Sequence, residues 1–167
     1  MEHPLKGCIL FDWGDTLMRD FKEFHVPMKD WPHVEAIPGA AEILSSLHAD
    51  WSLAIATNAD ISTEADIRAA LNRVKLDKWV GKIYCFKNIG HAKPSLEFYQ
   101  FILHDLDLPL KSIFMVGDNF EADVLGANRC GIRAVWFNAR DMESRSSEMV
   151  KTIHHLKELP SILVQWI

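Results

Sequence analysis

Cysteine is scarce in this chain: Cys8, Cys85 and Cys130 stand far apart, with no Cys-x-x-Cys pair among them. An odd count at such spacing excludes a disulfide framework and a cysteine zinc site. Each thiol has apolar neighbours, which predicts three buried cysteines in a reducing compartment. Long apolar runs are missing as well, so no membrane-spanning helix is expected. The opening stretch MEHPLKG lacks the basic-then-apolar pattern of a signal peptide. The expectation is a soluble, cytoplasmic protein. Nor is there an excess of positive charge, since 18 Lys and Arg against 23 Asp and Glu leave −5. That balance argues against a nucleic-acid partner and against a polybasic membrane surface. Internal repeats and low-complexity tracts are absent too.

What is present is ordinary globular composition, 49% apolar and 25% charged residues over 167 positions, which excludes a disordered or collagen-like chain. The length predicts one domain, residues 1–167, able to bury about 70% of its unfolded surface. Short apolar runs alternate with helix-period segments. Gly7-Cys8-Ile9-Leu10-Phe11, Leu53-Ala54-Ile55-Ala56, Ile83-Tyr84-Cys85-Phe86, Ile113-Phe114-Met115-Val116 and Ala134-Val135-Trp136-Phe137 read as five strands. Their apolar character is continuous rather than alternating, as in strands covered on both faces. Residues 40–49, 62–76, 94–104 and 121–130 read as helices, the third opened by Pro94 and Ser95, the last closed by Gly131 as a left-handed cap. A short strand and a helix are expected in the tail, 153–167. Strand and helix in alternation predict an α/β fold with a parallel sheet between two helical layers.

In such sheets ligands bind beyond the carboxyl ends of the strands. The residues at those ends are Asp12-Trp13-Gly14-Asp15-Thr16-Leu17, then Thr57-Asn58, then Lys93-Pro94, then Gly117-Asp118-Asn119 with Asp123 one turn further on. Carboxylates, a hydroxyl and an amine therefore gather at one edge. That set suits an oxyanion held together with magnesium, which characteristically takes one or two protein carboxylates plus substrate phosphate. Thr57 and nearby backbone amides can donate to phosphate oxygens, and Lys93 can neutralise charge developing on a transferring group. Asp12, ending an apolar strand where an unpaired carboxylate is expensive, is a candidate nucleophile. Thr57, Lys93 and Asp123 gain weight from position; alone each would read as structural or exposed. Lys87 competes weakly with Lys93.

These four signatures, in this order, resemble those of the haloacid dehalogenase-like hydrolase superfamily, and in particular its phosphoglycolate phosphatase-like branch. Ile37-Pro38-Gly39-Ala40 and Asp123-Val124-Leu125-Gly126-Ala127 resemble that branch too. The resemblance spans nearly the whole chain except about 18–36. It implies a three-layer, Rossmann-like fold and a magnesium-dependent phosphatase or phosphotransferase forming an aspartyl-phosphate on Asp12. By the same resemblance magnesium binds Asp12, the backbone carbonyl of Gly14, and Asp118, with Asp123 a ligand or one shell behind. Thr57 and the Asn58 amide hold phosphoryl oxygens, and Lys93 stabilises Asp12 and the phosphate. The substrate is a phosphomonoester on a small molecule or a macromolecule.

One departure matters. Phosphatases of the superfamily usually carry an acid/base Asp two residues after the nucleophile, where this chain has Gly14; Thr16 fixes that register. Asp15 either substitutes for it or caps backbone amides in the turn, and the capping role is favoured. A missing acid/base also admits two rivals: a weakly catalytic binding or regulatory protein, and a dehalogenase-type hydrolase, for which Asp118 and Asp123 would be idle. The gap from Met18 to Ile37 holds only 20 residues, a short insert at 18–36 where the branch places a large cap domain. Phe21, Phe24, His25, Trp31 and His33 make that insert either a small aromatic lid or a loop packed on the core. A second subunit supplying a lid fits the same gap. The remaining Trp residues are assigned to the core, and His91, His154 and His155 to the surface.

Overall fold

A computed structural model describes residues 4–167. Residues 1–3, which open the stretch read above for a signal pattern, lie outside the described residues. Six strands form one parallel sheet in the order β3-β2-β1-β4-β5-β6. They are β1 (Cys8–Phe11), β2 (Ser52–Ala56), β3 (Lys82–Tyr84), β4 (Ile113–Gly117), β5 (Arg133–Phe137) and β6 (Val150–Ile153). The chain builds outward from β1 on one side, then returns to place β4 on the other. Phe11 stands beside Ile55 on β2 and beside Val116 on β4. The strand order thus reverses between β1 and β4, which puts the crevice of a doubly wound sheet at their carboxyl ends.

The continuous apolar strands divide their side chains between two cores, because successive residues point to opposite faces. Ile9, Phe11, Leu53, Ile55, Phe114, Val116, Val135 and Phe137 face one core, with α1 (Ala40–Leu47), α2 (Glu64–Arg73) and α6 (Leu159–Val164) over them. Cys8, Leu10, Ala54, Ala56, Met115, Ala134 and Trp136 face the other, covered by α4 (Leu96–Leu106) and α5 (Gly126–Arg129). These are the two helical layers expected from the alternation of elements.

Local chemistry sets several element ends differently from the apolar pattern. α2 starts at Glu64, because Thr63 Oγ1 accepts from the Asp66 amide at 3.2 Å while Asp66 Oδ2 accepts from the Thr63 amide at 2.9 Å, a reciprocal cap. Ser95 caps α4 with a single bond, accepting from the Phe98 amide at 3.2 Å, and the helix runs to Leu106. The third strand ends at Tyr84, and Phe86 opens a one-turn helix, α3 (Phe86–Ile89). The expected single helix over 121–130 is instead a π-helical turn, Phe120–Leu125, running into α5. Gly131 is left-handed, at φ +79°. The strand of the tail lies earlier than expected, at Val150–Ile153. Cys8 and Cys85 are buried but Cys130 is only partly so, and Trp79 and Trp166 are likewise half-buried. No described helix is long and apolar enough to cross a membrane.

The insert is a compact loop. Met18 bridges to Ala36 across its neck. Phe21, Phe24 and Trp31 stack against one another at ring-centroid distances of 5.1–6.2 Å. Met28 and Trp31 are buried on the first core, and Arg73 at the end of α2 donates to the carbonyls of Trp31 (2.6 Å) and Lys29 (3.2 Å). The aromatics therefore pack on the core, while Phe24, Val26, Met28 and Trp31 also form one wall of the cleft described below.

Phe114 is fully buried on β4, edge-on to Trp51 (5.6 Å) and stacked on Trp166 (5.7 Å) near the C-terminus. Phe114→Ala should lower the free energy of unfolding by about 3–5 kcal/mol, read as a shifted urea midpoint with unchanged slope. A change below about 1 kcal/mol would mean that the two indoles close over the space.

Candidate active site

Asp12 follows β1 directly, its amide bonded to the Val116 carbonyl at 2.8 Å, and Asp118 follows β4. The turn between Asp12 and Met18 is tight: the Trp13 carbonyl accepts from the amides of Thr16, Leu17 and Met18. Asp15 is left-handed at φ +59°, a conformation an Asp side chain tolerates by bonding locally. Its carboxylate does so, accepting from the Asp20 amide at 3.0 Å. The Asp15 carboxylate thus bonds a backbone amide of the insert.

Lys93 organises the centre. Its ammonium is 2% exposed and donates to Asp12 Oδ1 (2.8 Å), Asp123 Oδ1 (2.6 Å) and the Ala56 carbonyl (2.7 Å). Asn58 fixes the Lys93 backbone from β2, its Nδ2 donating to the Lys93 carbonyl (2.9 Å) and its Oδ1 accepting from the Lys93 amide (2.7 Å). The Asn58 side chain is therefore spent on position, which leaves its backbone amide as the group expected at phosphate. Lys87, the weaker competitor, is exposed.

Asp123 is 1% exposed, not the surface helix residue it could have been. Its other oxygen accepts from the Asn119 amide at 2.9 Å. The π-helical turn carries it inward, and Gly117 makes the room: a Cβ at Gly117 would lie 2.2 Å from Asp123 Oδ2. Thr57 is buried, its Oγ1 accepting from the Ala59 amide (3.1 Å), so its proton remains available to a cleft ligand. Sequence reasoning used Thr16 only for register; its buried hydroxyl donates to Asp12 Oδ2 at 3.2 Å. It also missed Arg140, whose guanidinium donates to the Asp118 carbonyl at 3.3 Å. Nothing local in the sequence marks Arg140 as a neighbour of Asp118. His91 is exposed, as expected.

Asp12, Asp118 and Asp123 present ligand oxygens within 4.8 Å of one another. Three carboxylates face a single buried cation. Burial, then the Asp12 charge, pushes the Asp118 carboxyl up to about 8. Burial and the Asp12 charge likewise push Asp123 up to about 6, against the pull of Lys93. Burial acts to lower Lys93, but the Asp12 and Asp123 charges outweigh it and its pKa is raised. Lys93 thus stays charged. Its 2.6 Å bond and the Asn119 amide favour the ionised form of Asp123, so the unmet charge falls chiefly on Asp118. A hard divalent cation with oxygen ligands fits that deficit. The three carboxylates and Lys93 open on a cleft of about 410 Å³, lined also by Gly14, Asp15, Asp20, Lys22, Thr57, Asn58 and the insert.

Comparison with known proteins matches residues 10–137 to the haloacid dehalogenase-like hydrolase family. A pyrimidine 5'-nucleotidase of Escherichia coli is 28% identical over 128 residues, 74% of this chain and 56% of the relative. A ribulose-1,5-bisphosphate 5-phosphatase of Halopiger xanaduensis is 31% identical over 112 residues, 67% of this chain and 46% of the relative. The chain therefore spans about half the length of these curated relatives. An uncharacterised protein of Listeria monocytogenes shares the fold, with a TM-score of 0.82 at 24% identity over 95% of this chain and 97% of the other.

Two predictions come from the site. Unfolded Asp titrates at about 3.9, whereas burial and the Asp12 charge push folded Asp118 up to about 8. Between those values the native state holds a proton that the unfolded chain has released, so metal-free stability should fall as pH rises through that window. Magnesium needs the ionised carboxylates, so magnesium chloride should raise the Tm more at about pH 8 than at about pH 5. An equal shift at both would exclude these carboxylates as its ligands. Gly117→Ala should displace Asp123 and lower the magnesium-induced Tm shift; an unchanged shift would mean that Asp123 does not hold the site.

Proposed function

The chain belongs to the haloacid dehalogenase-like hydrolase family, and from that premise we propose that it is a magnesium-dependent phosphomonoesterase acting through Asp12. The observation that carries this reading is the buried Lys93 ammonium, bonded at once to Asp12 and Asp123, at a strand edge where Asp118 adds a third carboxylate. Magnesium would be held by Asp12, the Gly14 carbonyl and Asp118, with Asp123 alongside, and would supply charge neutralisation for the phosphoryl oxygens.

The residues divide the work. One Asp12 oxygen is fixed by Lys93 and the other accepts from Thr16, which limits rotation of the carboxylate and orients it for attack on phosphorus. Attack forms an aspartyl-phosphate and releases an alcohol; water then releases inorganic phosphate. The Thr57 hydroxyl and the Asn58 backbone amide donate to the phosphoryl oxygens, and Lys93 offsets the negative charge that accumulates there. Both curated relatives are named for phosphate-ester hydrolysis, one on a nucleotide and one on a sugar bisphosphate. The substrate class proposed here is accordingly a phosphomonoester. With 18–36 packed as a short wall between β1 and α1, the cleft is proposed to admit esters with bulky leaving groups.

The test is hydrolysis of 4-nitrophenyl phosphate. Turnover should require magnesium, stop with EDTA and fall at least about 10³-fold in Asp12→Asn. Turnover that survives EDTA or Asp12→Asn would overturn the reading. Absence of phosphatase activity together with release of halide from a 2-haloacid would assign the dehalogenase chemistry instead.

A further inference from the structure

Ester hydrolysis through Asp12 needs a group that protonates the leaving oxygen and later takes a proton from water. Six carboxylates line the cleft: besides Asp20, Asp12 is the proposed nucleophile, Asp118 and Asp123 are gathered for the cation, Asp15 is engaged by the Asp20 amide, and Asp60 stands exposed on the loop after β2. The Asp20 carboxylate is neither bonded to Lys93 nor gathered for the cation. It sits in the insert, half-buried at the cleft wall, its side chain 35% exposed and paired with the exposed Lys22 ammonium. Its placement relative to Gly14 is specific: a Cβ built on Gly14 would lie 3.2 Å from Asp20 Cβ and 3.5 Å from Asp20 Oδ2. The Asp20 carboxyl group thus lies against the turn two residues beyond Asp12, in space that a side chain at position 14 would enter.

Resting on the phosphomonoesterase reading above, we propose that Asp20 is the general acid and base of this site, delivered from the insert, with Asp15 as its positioning residue. Three contacts hold it there. The Asp20 amide is bonded to Asp15 Oδ1 (3.0 Å), the neighbouring Arg19 amide to the Glu35 carbonyl (3.0 Å), and Met18 bridges to Ala36. In the first step Asp12 attacks phosphorus, the bond from phosphorus to the ester oxygen breaks, and that oxygen takes the Asp20 proton. In the second, water attacks phosphorus, gives a proton to the Asp20 carboxylate, and the bond from phosphorus to Asp12 breaks. Asp20 ends protonated as it began, and the net reaction is ester plus water to alcohol plus phosphate.

The experiment compares 4-nitrophenyl phosphate, whose leaving group departs unaided, with phenyl phosphate, whose leaving group benefits from a proton. Asp20→Asn should raise the ratio of the two kcat/KM values at least about tenfold, within the range that acid catalysis supplies. It should also accumulate phosphoenzyme in acid-quenched samples, since the hydrolytic step loses its base. Asp20→Glu, which keeps the carboxyl group, should stay near the parental ratio. In Gly14→Asp with Asp20→Ala, a carboxyl returned to the same space should restore the ratio and clear the phosphoenzyme. Asp60→Asn, on the exposed loop after β2, serves as the control. A ratio unmoved by Asp20→Asn in a folded protein that still requires Asp12 overturns the role of Asp20 alone. A ratio moved equally by Asp60→Asn does the same. A parent protein with no Asp12-dependent turnover of either ester overturns the phosphomonoesterase reading and this inference with it.

Discussion

The site depends on one buried ammonium. Lys93 is enclosed by Asp12, Asp123 and the Ala56 carbonyl, and each of those acceptors belongs to a different element. An ammonium buried without such partners would shed its proton; with them it stays charged and ties the end of β1, the end of β2 and the π-helical turn to the loop before α4. Removing either side of a buried ion pair leaves an uncompensated charge, which is far more damaging than losing a surface pair. The same arithmetic explains the remaining acidity. One cation faces three carboxylates, and burial together with the Asp12 charge raises the pKa values of Asp118 and Asp123.

Close approach to backbone without side chains is the second constraint. Asp123 can face Lys93 only because Gly117 ends β4 without a Cβ. Asp20 lies against the turn after Asp12, where a Cβ on Gly14 would press on it at 3.2 Å. In each case a carboxylate approaches the backbone at a position that carries no side chain. The insert that carries Asp20 is held at several points: Trp31 donates its indole N–H to the Val26 carbonyl, and Arg73 donates to three of the loop's carbonyls. A loop held at that many points can present a side chain in one place.

Much of the fold was legible because its signals are local. Five apolar runs marked five of the six strands, and their lack of alternation marked a sheet covered on both faces. Pro94-Ser95 marked the start of α4, and Gly131 the left-handed turn after α5. The misses have physical reasons. α2 starts two residues late because the Thr63–Asp66 cap outcompetes the apolar pattern. The single helix expected at 121–130 breaks into a π-helical turn and α5 because Asp123 must turn inward to Lys93, a demand made thirty residues away in sequence. β6 pairs with β5 at Val150–Ile153, where intermediate burial of Lys151 and Thr152 weakens the apolar signal.

For the site, sequence alone determined which residue types end three of the strands: Asp12, Thr57 and Asp118 follow apolar runs, and a polar group in that position is placed by the period of the strand itself, while Lys93 stands in the loop before α4. It also determined the vacancy of side chain at position 14 and the smallness of the insert. Tertiary structure alone decided what those facts amount to. It turned Asn58 into a clamp on the Lys93 backbone, made Thr16 a donor to Asp12, committed Asp15 to the turn and brought Asp20 beside Gly14. These outcomes depend on the path the chain takes between elements and on which backbone groups are left to bond. That path is set by packing between residues far apart in sequence, which no local pattern of polarity encodes.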